Sequence, residues 1–299
     1  MLPLDDPNLP WLGTLVGVPI LGFYFWCTNQ FVVQRVLGAR SIADARWGAL
    51  FAGFLKLPVL YIMVLPGVMA GVFLPELDNA DAVFPTLVTT LLPAGLVGLV
   101  MAGLLAAIMS SIDSTLNAAS ALLTMDFLRP EKRAWSATRV VWVGRGFIVL
   151  FMLMAASISP LIVNFPGLFH YLQSALAYLV PPVAVVFIMG LFWRRASATG
   201  AFATLLGGHL VSALLFTFSL LDLLSLHFTI VAGLSALASV LIFLFSSGIG
   251  SPPSDDQVSR FTFDAKTTER QAALAWWQDY RLYAAILVVL TIALVTAHW

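Results

Sequence analysis

Residues Ala106–Asp126 read AAIMSSIDSTLNAASALLTMD, and this stretch decides how the rest of the chain is understood. It lies inside an apolar run that starts near Ala94 and is long enough to cross a bilayer. Yet it carries Ser110, Ser111, Asp113, Ser114, Thr115, Asn117 and Ser120. At about 3.6 residues per turn, Ser110, Ser114, Asn117 and Ala121 share one face, with Asp113, Ser120 and Thr124 beside them. A carboxylate and several hydroxyls turned towards lipid are costly, so that face must look onto protein, water or an ion.

The surrounding chain fits this picture. Its 299 residues are 60% hydrophobic and 10% charged, with a mean hydropathy of +0.95. Soluble domains run near ~45–50% apolar and ~25% charged. The composition is that of an all-α polytopic membrane protein embedded in a lipid bilayer. The single cysteine, Cys27, excludes a disulfide framework. The net charge is zero and no basic run suggests nucleic acid. The start, MLPLDDPNLP, is acidic where a secretory leader would be basic, so a cleaved leader is not expected.

About eight apolar runs have the length of a membrane span. They are Trp11–Val33, Trp47–Leu74, Ala94–Thr124, Val140–Ser159, Leu168–Trp193, Ala201–Leu221, Phe228–Ser246 and Tyr280–Ala297. Connections are short except 248–278, where GIGSPPSDDQ gives way to FTFDAKTTERQAALAWW. That loop is expected to be polar first and then to form a short interfacial helix.

Basic residues set the orientation. Arg35, Arg40 and Arg46 follow span one, and Arg129, Lys132, Arg133 and Arg139 follow span three. Arg194 and Arg195 follow span five; Arg260, Lys266, Arg270 and Arg281 follow span seven. The other connections carry Asp5, Asp6, Glu76, Asp78, Asp81 and Asp222, without Lys or Arg. Odd connections are therefore expected in the cytoplasm and both termini on the outer face.

The two basic residues that remain, Arg145 and Lys56, lie within spans. Arg145 lies ~9 Å along the helix from Arg139, close enough to snorkel to the interface. Lys56 lies ~14 Å from Trp47, near the middle of a ~30 Å core. At that depth it must meet a partner or a water-filled cavity, and an ion pair with Asp113 is the purely structural alternative.

Span one contains Gly13, Gly17, Pro19 and Gly22, and Thr28-Asn29-Gln30 interrupts it late. Such a helix is expected to break and free backbone groups at mid-depth, although the same glycines equally permit close helix packing. Tyr24, Phe25 and Trp26 form an aromatic cluster beside the break, suited to stacking on a sugar ring or plugging a cavity. In span five, Gln173, Tyr171 and Tyr178 add polar groups, Pro181-Pro182 should kink the helix, and His170 near the span end is ordinarily structural. Nothing resembles a nucleophile–base pair, a phosphate-binding loop or a metal cluster, so no enzyme is expected.

Three ordered segments carry a resemblance. The stretch FYFWCTNQFVVQRVLGARSIADARWGALFAGFLKLPVLYIMVLPGVMA is similar to the seventh and eighth helices of the sodium/solute symporter family, sodium/glucose cotransporter branch. LLAAIMSSIDSTLNAASALLTMDF resembles its ninth helix. YLQSALAYLVPPVAVVFIMGLFWRRASATGAF resembles its eleventh helix and the loop beyond. The resemblance implies a LeuT-type fold, two inverted five-helix repeats around a midplane site. Residues 1–195 would be the second repeat, and 196–299 three peripheral helices with a cytoplasmic loop at 248–278.

By that resemblance, Ala107, Ser110 and Ser111 form a sodium site, through one backbone carbonyl and serine oxygens. Lys56 and Gln173 match groups that hydrogen-bond a sugar, with Tyr24, Phe25 and Trp26 beside them. Phe25 stands where tyrosine usually forms an inner gate, and Gly22 where a polar sugar contact is usual. Asp113 and Ser114 stand near a second cation or proton site. The first repeat is expected to be missing, making the chain a portion of a symporter, completed by an N-terminal half encoded elsewhere or lost. The expected activity is sodium-coupled symport of a sugar or polyol across the cell membrane. Alternatives are symport of a monocarboxylate, with Lys56 as counter-charge, or a non-transporting sensor or assembly partner.

Overall fold

With no water in a bilayer core, each spanning segment must satisfy its own backbone, and these apolar runs do so as helices. The computed structural model describes residues 3, 6, 10–73, 80–164, 167–224, 226–263 and 279–298, among which no strand occurs. Eight helical stretches there are long and apolar enough to span: Trp11–Thr28, Ile42–Phe73, Ala94–Phe127, Ala137–Ile158, Leu168–Phe192, Ala198–Leu220, Phe228–Ile249 and Tyr280–Ala297. The eight expected spans are all present, with shifted ends.

In chain order the α-helices are α1 (Trp11–Phe23), α2 (Gln30–Leu37), α3 (Ile42–Lys56), α4 (Leu65–Phe73), α5 (Val83–Leu91) and α6 (Ala94–Ala121). There follow α7 (Ala137–Ile158), α8 (Leu168–Phe192), α9 (Ala198–Leu220), α10 (Phe228–Ile249), α11 (Asp255–Phe261) and α12 (Tyr280–His298). Side chains start several of them. Ser41 accepts from the Asp44 amide, Ser136 from Arg139 and Ser197 from Gly200, each satisfying an amide that has no partner within its own helix. Ser254 and Gln257 form a reciprocal capping box on α11. This helix falls in the part of the loop read as polar, whereas the expected interfacial helix lies largely in 264–278, outside the described residues.

The chain divides into two compact units, one of Met1–Val33 with Leu172–Trp299, the other of Gln34–Tyr171. In the first, α10 packs against both α9 and α1. Small residues bring these backbones close, the usual way membrane helices gain contact. Gly17 of α1 lies against the Thr229 backbone and Gly208 of α9 against Ser239 and Pro182, leaving no room for a Cβ at either. Ser212 and Ser235 share a buried hydrogen bond of 2.6 Å between α9 and α10. Ala177, Phe228 and Ala232 form a buried cluster joined by Leu21, so α1, α8 and α10 meet there.

In the second unit α6 packs on α7. The Ser120 hydroxyl donates to the Gly144 carbonyl at 2.8 Å, and Thr124 is buried beside it. Of the surroundings allowed to this face, protein, water or an ion, these two polar residues meet protein at a helix–helix contact. At the other end, the Asp81 carboxylate accepts from the Leu168 amide at 3.1 Å, capping α8 from a distant loop. Helix α8 runs on through Pro181-Pro182, with both prolines buried.

Candidate functional site

The candidate cation stretch is one uninterrupted piece of α6. The Ser111 hydroxyl donates to the Ala107 carbonyl at 2.9 Å, and the Ser114 hydroxyl to the Ser110 carbonyl at 2.8 Å. Each carbonyl therefore takes a hydroxyl proton beside its ordinary helical amide, which fills both lone pairs. The serine oxygens keep their own lone pairs, so a cation would meet Ser110 and Ser111 hydroxyls directly. Ala107 would join as a ligand once Ser111 rotated away. Hard oxygen donors of this kind suit a small alkali cation. Ser110, Ser111, Asp113 and Asn117 are exposed, and Ser114 is half-buried.

Ser114 has a partner that sequence reading missed. The Arg35 guanidinium donates to its hydroxyl at 2.8 Å, across 79 positions in sequence. A chain of hydrogen bonds thus runs from Arg35 through Ser114 to the Ser110 carbonyl, tying α2 to the cation stretch. Among the described residues no ion pair joins Lys56 to Asp113. Arg145 lies over the Trp142 ring, 5.1 Å from its centroid, a cation–π contact within its own helix.

The expected break in span one is present. Tyr24–Thr28 form a wide π-helical turn, and Asn29 follows in an extended conformation (φ −68°, ψ 118°). The Thr28 hydroxyl donates back to the Tyr24 carbonyl at 2.9 Å, and the helix resumes as α2. Inside this turn Phe25 meets Trp26 edge-on at 5.5 Å and Phe31 at 6.0 Å. Phe25 and Trp26 remain 39% and 43% exposed, so the chain itself does not bury them. Leu21, almost one turn earlier, contacts the cluster containing Ala177. Gln173 is one turn before Ala177 on the same face of α8 and is half-buried.

Span two carries a break that was not anticipated. Helix α3 stops at Lys56, and the Leu57 amide bonds only to Phe54 at 3.2 Å, a tightened last turn. Pro58 has no amide to continue the ladder, and a π-helical turn at Leu60–Val64 leads into α4. Lys56 therefore sits at a helix C-terminus, where free carbonyls favour a positive charge. The signal was Pro58 itself, a single proline in an apolar run.

A wide, broken span with aromatics, a second break with a lysine, and a hydroxyl-rich span are parts from which solute carriers build midplane sites. The profile of the sodium:solute symporter family matches residues 4–208. The chain belongs to that family. Among its relatives, a human sodium/myo-inositol cotransporter 2 is 41% identical over 223 residues, 68% of this chain and 33% of that protein. The pig sodium/myo-inositol cotransporter 2 is 35% identical, over 86% of this chain and 43% of its own. A mouse sodium/myo-inositol cotransporter is 33% identical, over 88% of this chain and 41% of its own. The matched region thus spans less than half of these symporters. These relatives are cotransporters.

Proposed function

We propose that this chain supplies part of a sodium-coupled symporter for a polyol or sugar, myo-inositol and glucose being the first solutes to test. The observation that carries this reading is the run of exposed hydroxyls and one carboxylate on α6, a membrane helix. Such groups at that depth require water, an ion or protein, and an alkali cation at Ser110 and Ser111 meets the requirement. Residues 1–195 act as the second five-helix repeat and 196–299 as peripheral helices, with the Arg-rich connections cytoplasmic and both termini outside. Lys56, Gln173, Tyr24, Phe25 and Trp26 are the solute contacts that the family resemblance assigns. Asp113, unpaired among the described residues, serves a second cation or a proton. Sodium and solute favour the same conformation, so each raises the affinity of the other.

The test is sodium-dependent uptake of labelled myo-inositol, glucose and galactose into proteoliposomes. It is run on this chain and on this chain fused to a first repeat of the family. Sodium-driven uptake by the fusion, lost in Ser111→Ala, supports the reading. A folded fusion that moves none of the three, with or without sodium, overturns it.

A further inference from the structure

Where α8 ends at Phe192, the chain turns through Trp193, Arg194 and Arg195 into α9. Helix α11 returns over this corner and is pinned there. The Phe263 amide donates to the Leu191 carbonyl at 2.8 Å, and the Phe263 ring lies 5.9 Å from that of Phe192. Two adjoining cavities of about 450 Å³ each result, sharing Arg194, Pro252, Pro253 and Val258. One continues as a mainly apolar groove past Val186, Gly190, Phe243 and Phe261, with Ser197 and Gln257 among its polar lining; the other ends among Arg195, Asp255 and Ser259.

Neither Arg194 nor Arg195 has an ion-pair partner among the described residues, where the one ion pair is Arg260–Asp256 at 2.9 Å. Among the described residues lining the polar end, two adjacent guanidiniums face one carboxylate, Asp255, an excess of one positive charge. The groove begins where an apolar spanning helix stops, the depth at which lipid headgroups lie. It offers a polar end and an apolar channel in continuity.

We propose that this groove binds an anionic phospholipid of single net charge, such as phosphatidylglycerol. Its phosphodiester sits between Arg194 and Arg195, where guanidinium forks match phosphate oxygens. Headgroup hydroxyls donate to Asp255 and bond Ser259, and one acyl chain follows the groove past Val186 and Phe243. A headgroup with one negative charge neutralises the site, whereas a zwitterionic one leaves the excess positive charge in place. Basic pockets between membrane helices recognise headgroups by this chemistry. The site is independent of the cation stretch on α6.

The experiment uses the whole 299-residue chain, purified in mixed micelles of phosphatidylglycerol and phosphatidylcholine, with retained lipid read by native mass spectrometry. Phosphatidylglycerol is expected to be retained in preference. Arg194→Gln/Arg195→Gln should lower that retention at least about tenfold, since both charge-assisted contacts to the phosphodiester are lost. Val258→Trp keeps both charges but fills the shared neck of the groove, and should do the same. Lys132→Gln/Arg133→Gln removes equal charge elsewhere and should change nothing. Equal loss in this last variant would reduce the effect to general surface charge and overturn the site. Unchanged retention in Val258→Trp would likewise overturn it, and that variant decides the matter if the arginine variant does not fold. Displacement of the lipid by water-soluble glycerol phosphate at equal concentration would replace the lipid site with one for free phosphate esters.

Discussion

Replacing Gly17 with alanine adds one methyl group at the point where α1 touches α10. A Cβ there would overlap the Thr229 carbonyl and lie 3.1 Å from the Thr229 Cα. Because the obstacle is backbone, no rotamer change relieves it, and the two helices must separate. Over-packing of this kind costs ~1–3 kcal/mol. Gly22, on the same helix, has nothing within 4 Å of its would-be Cβ. Both substitutions gain the same helix propensity, ~1 kcal/mol, so that contribution cancels when they are compared. Gly17→Ala should therefore be less stable than Gly22→Ala by ~1–3 kcal/mol, towards the upper end because the contact is with main chain. Denaturant unfolding of the chain in detergent, followed by far-ultraviolet circular dichroism, measures the difference. Equal stability of the two variants within ~0.5 kcal/mol would refute the close α1–α10 packing.

Ser120→Ala should cost only ~0.6 kcal/mol, a typical interhelical hydrogen bond in a membrane protein. Ser120→Leu, which must push α6 from α7 at Gly144, should cost clearly more in the same unfolding assay. Lys56→Met and Asp113→Ala should affect stability additively within ~0.3–0.5 kcal/mol, since no ion pair joins them. A coupling well above that in the double-mutant cycle would show that the two groups do touch. Arg35→Ala frees the Ser114 hydroxyl and should shift the sodium half-saturation of uptake by a few-fold at most, because the bond is solvent-exposed. An unchanged sodium dependence would confine Arg35 to charge at the membrane surface.

What could be read in advance followed from strong one-dimensional signals. Bilayer thickness imposes a length on apolar runs, so all eight spans were evident, and the polar interruption at Thr28-Asn29-Gln30 marked the break in span one. Periodicity placed Ser120 and Thr124 beside the polar face of α6, but it cannot say that α7 covers them, because the Gly144 carbonyl belongs to another helix. The Arg35–Ser114 bond was hidden for the same reason. No local pattern announces a contact between α2 and α6. The stop at Lys56 was different: Pro58 announced it, and only the continuous hydrophobicity on either side concealed it. Helix α11 was masked by its Pro/Ser-rich composition, although Ser254 and Gln257 already spelled a capping box.

Helix α6 passes at its end into a π-helical turn, Leu122–Phe127, wide like the one at Tyr24–Thr28, and such turns bear on how this protein tolerates change in length. A π-helical turn holds one residue more than the α-helical turn it replaces, so removing a residue there heals the helix into regular form. Orientation is kept: the extra residue is taken up within the turn, so its removal leaves the helix beyond facing as before, whereas the same deletion in a regular α-helix would rotate everything beyond by ~100°. At the end of α6 such a deletion would leave Ser110, Ser111 and Asp113 in place and the following loop, with Arg129 and Lys132, on the same side. Most insertions and deletions in a membrane helix disturb its whole length. At this turn the loss of one residue is absorbed locally, sparing both the polar face upstream and the aim of the charged loop downstream.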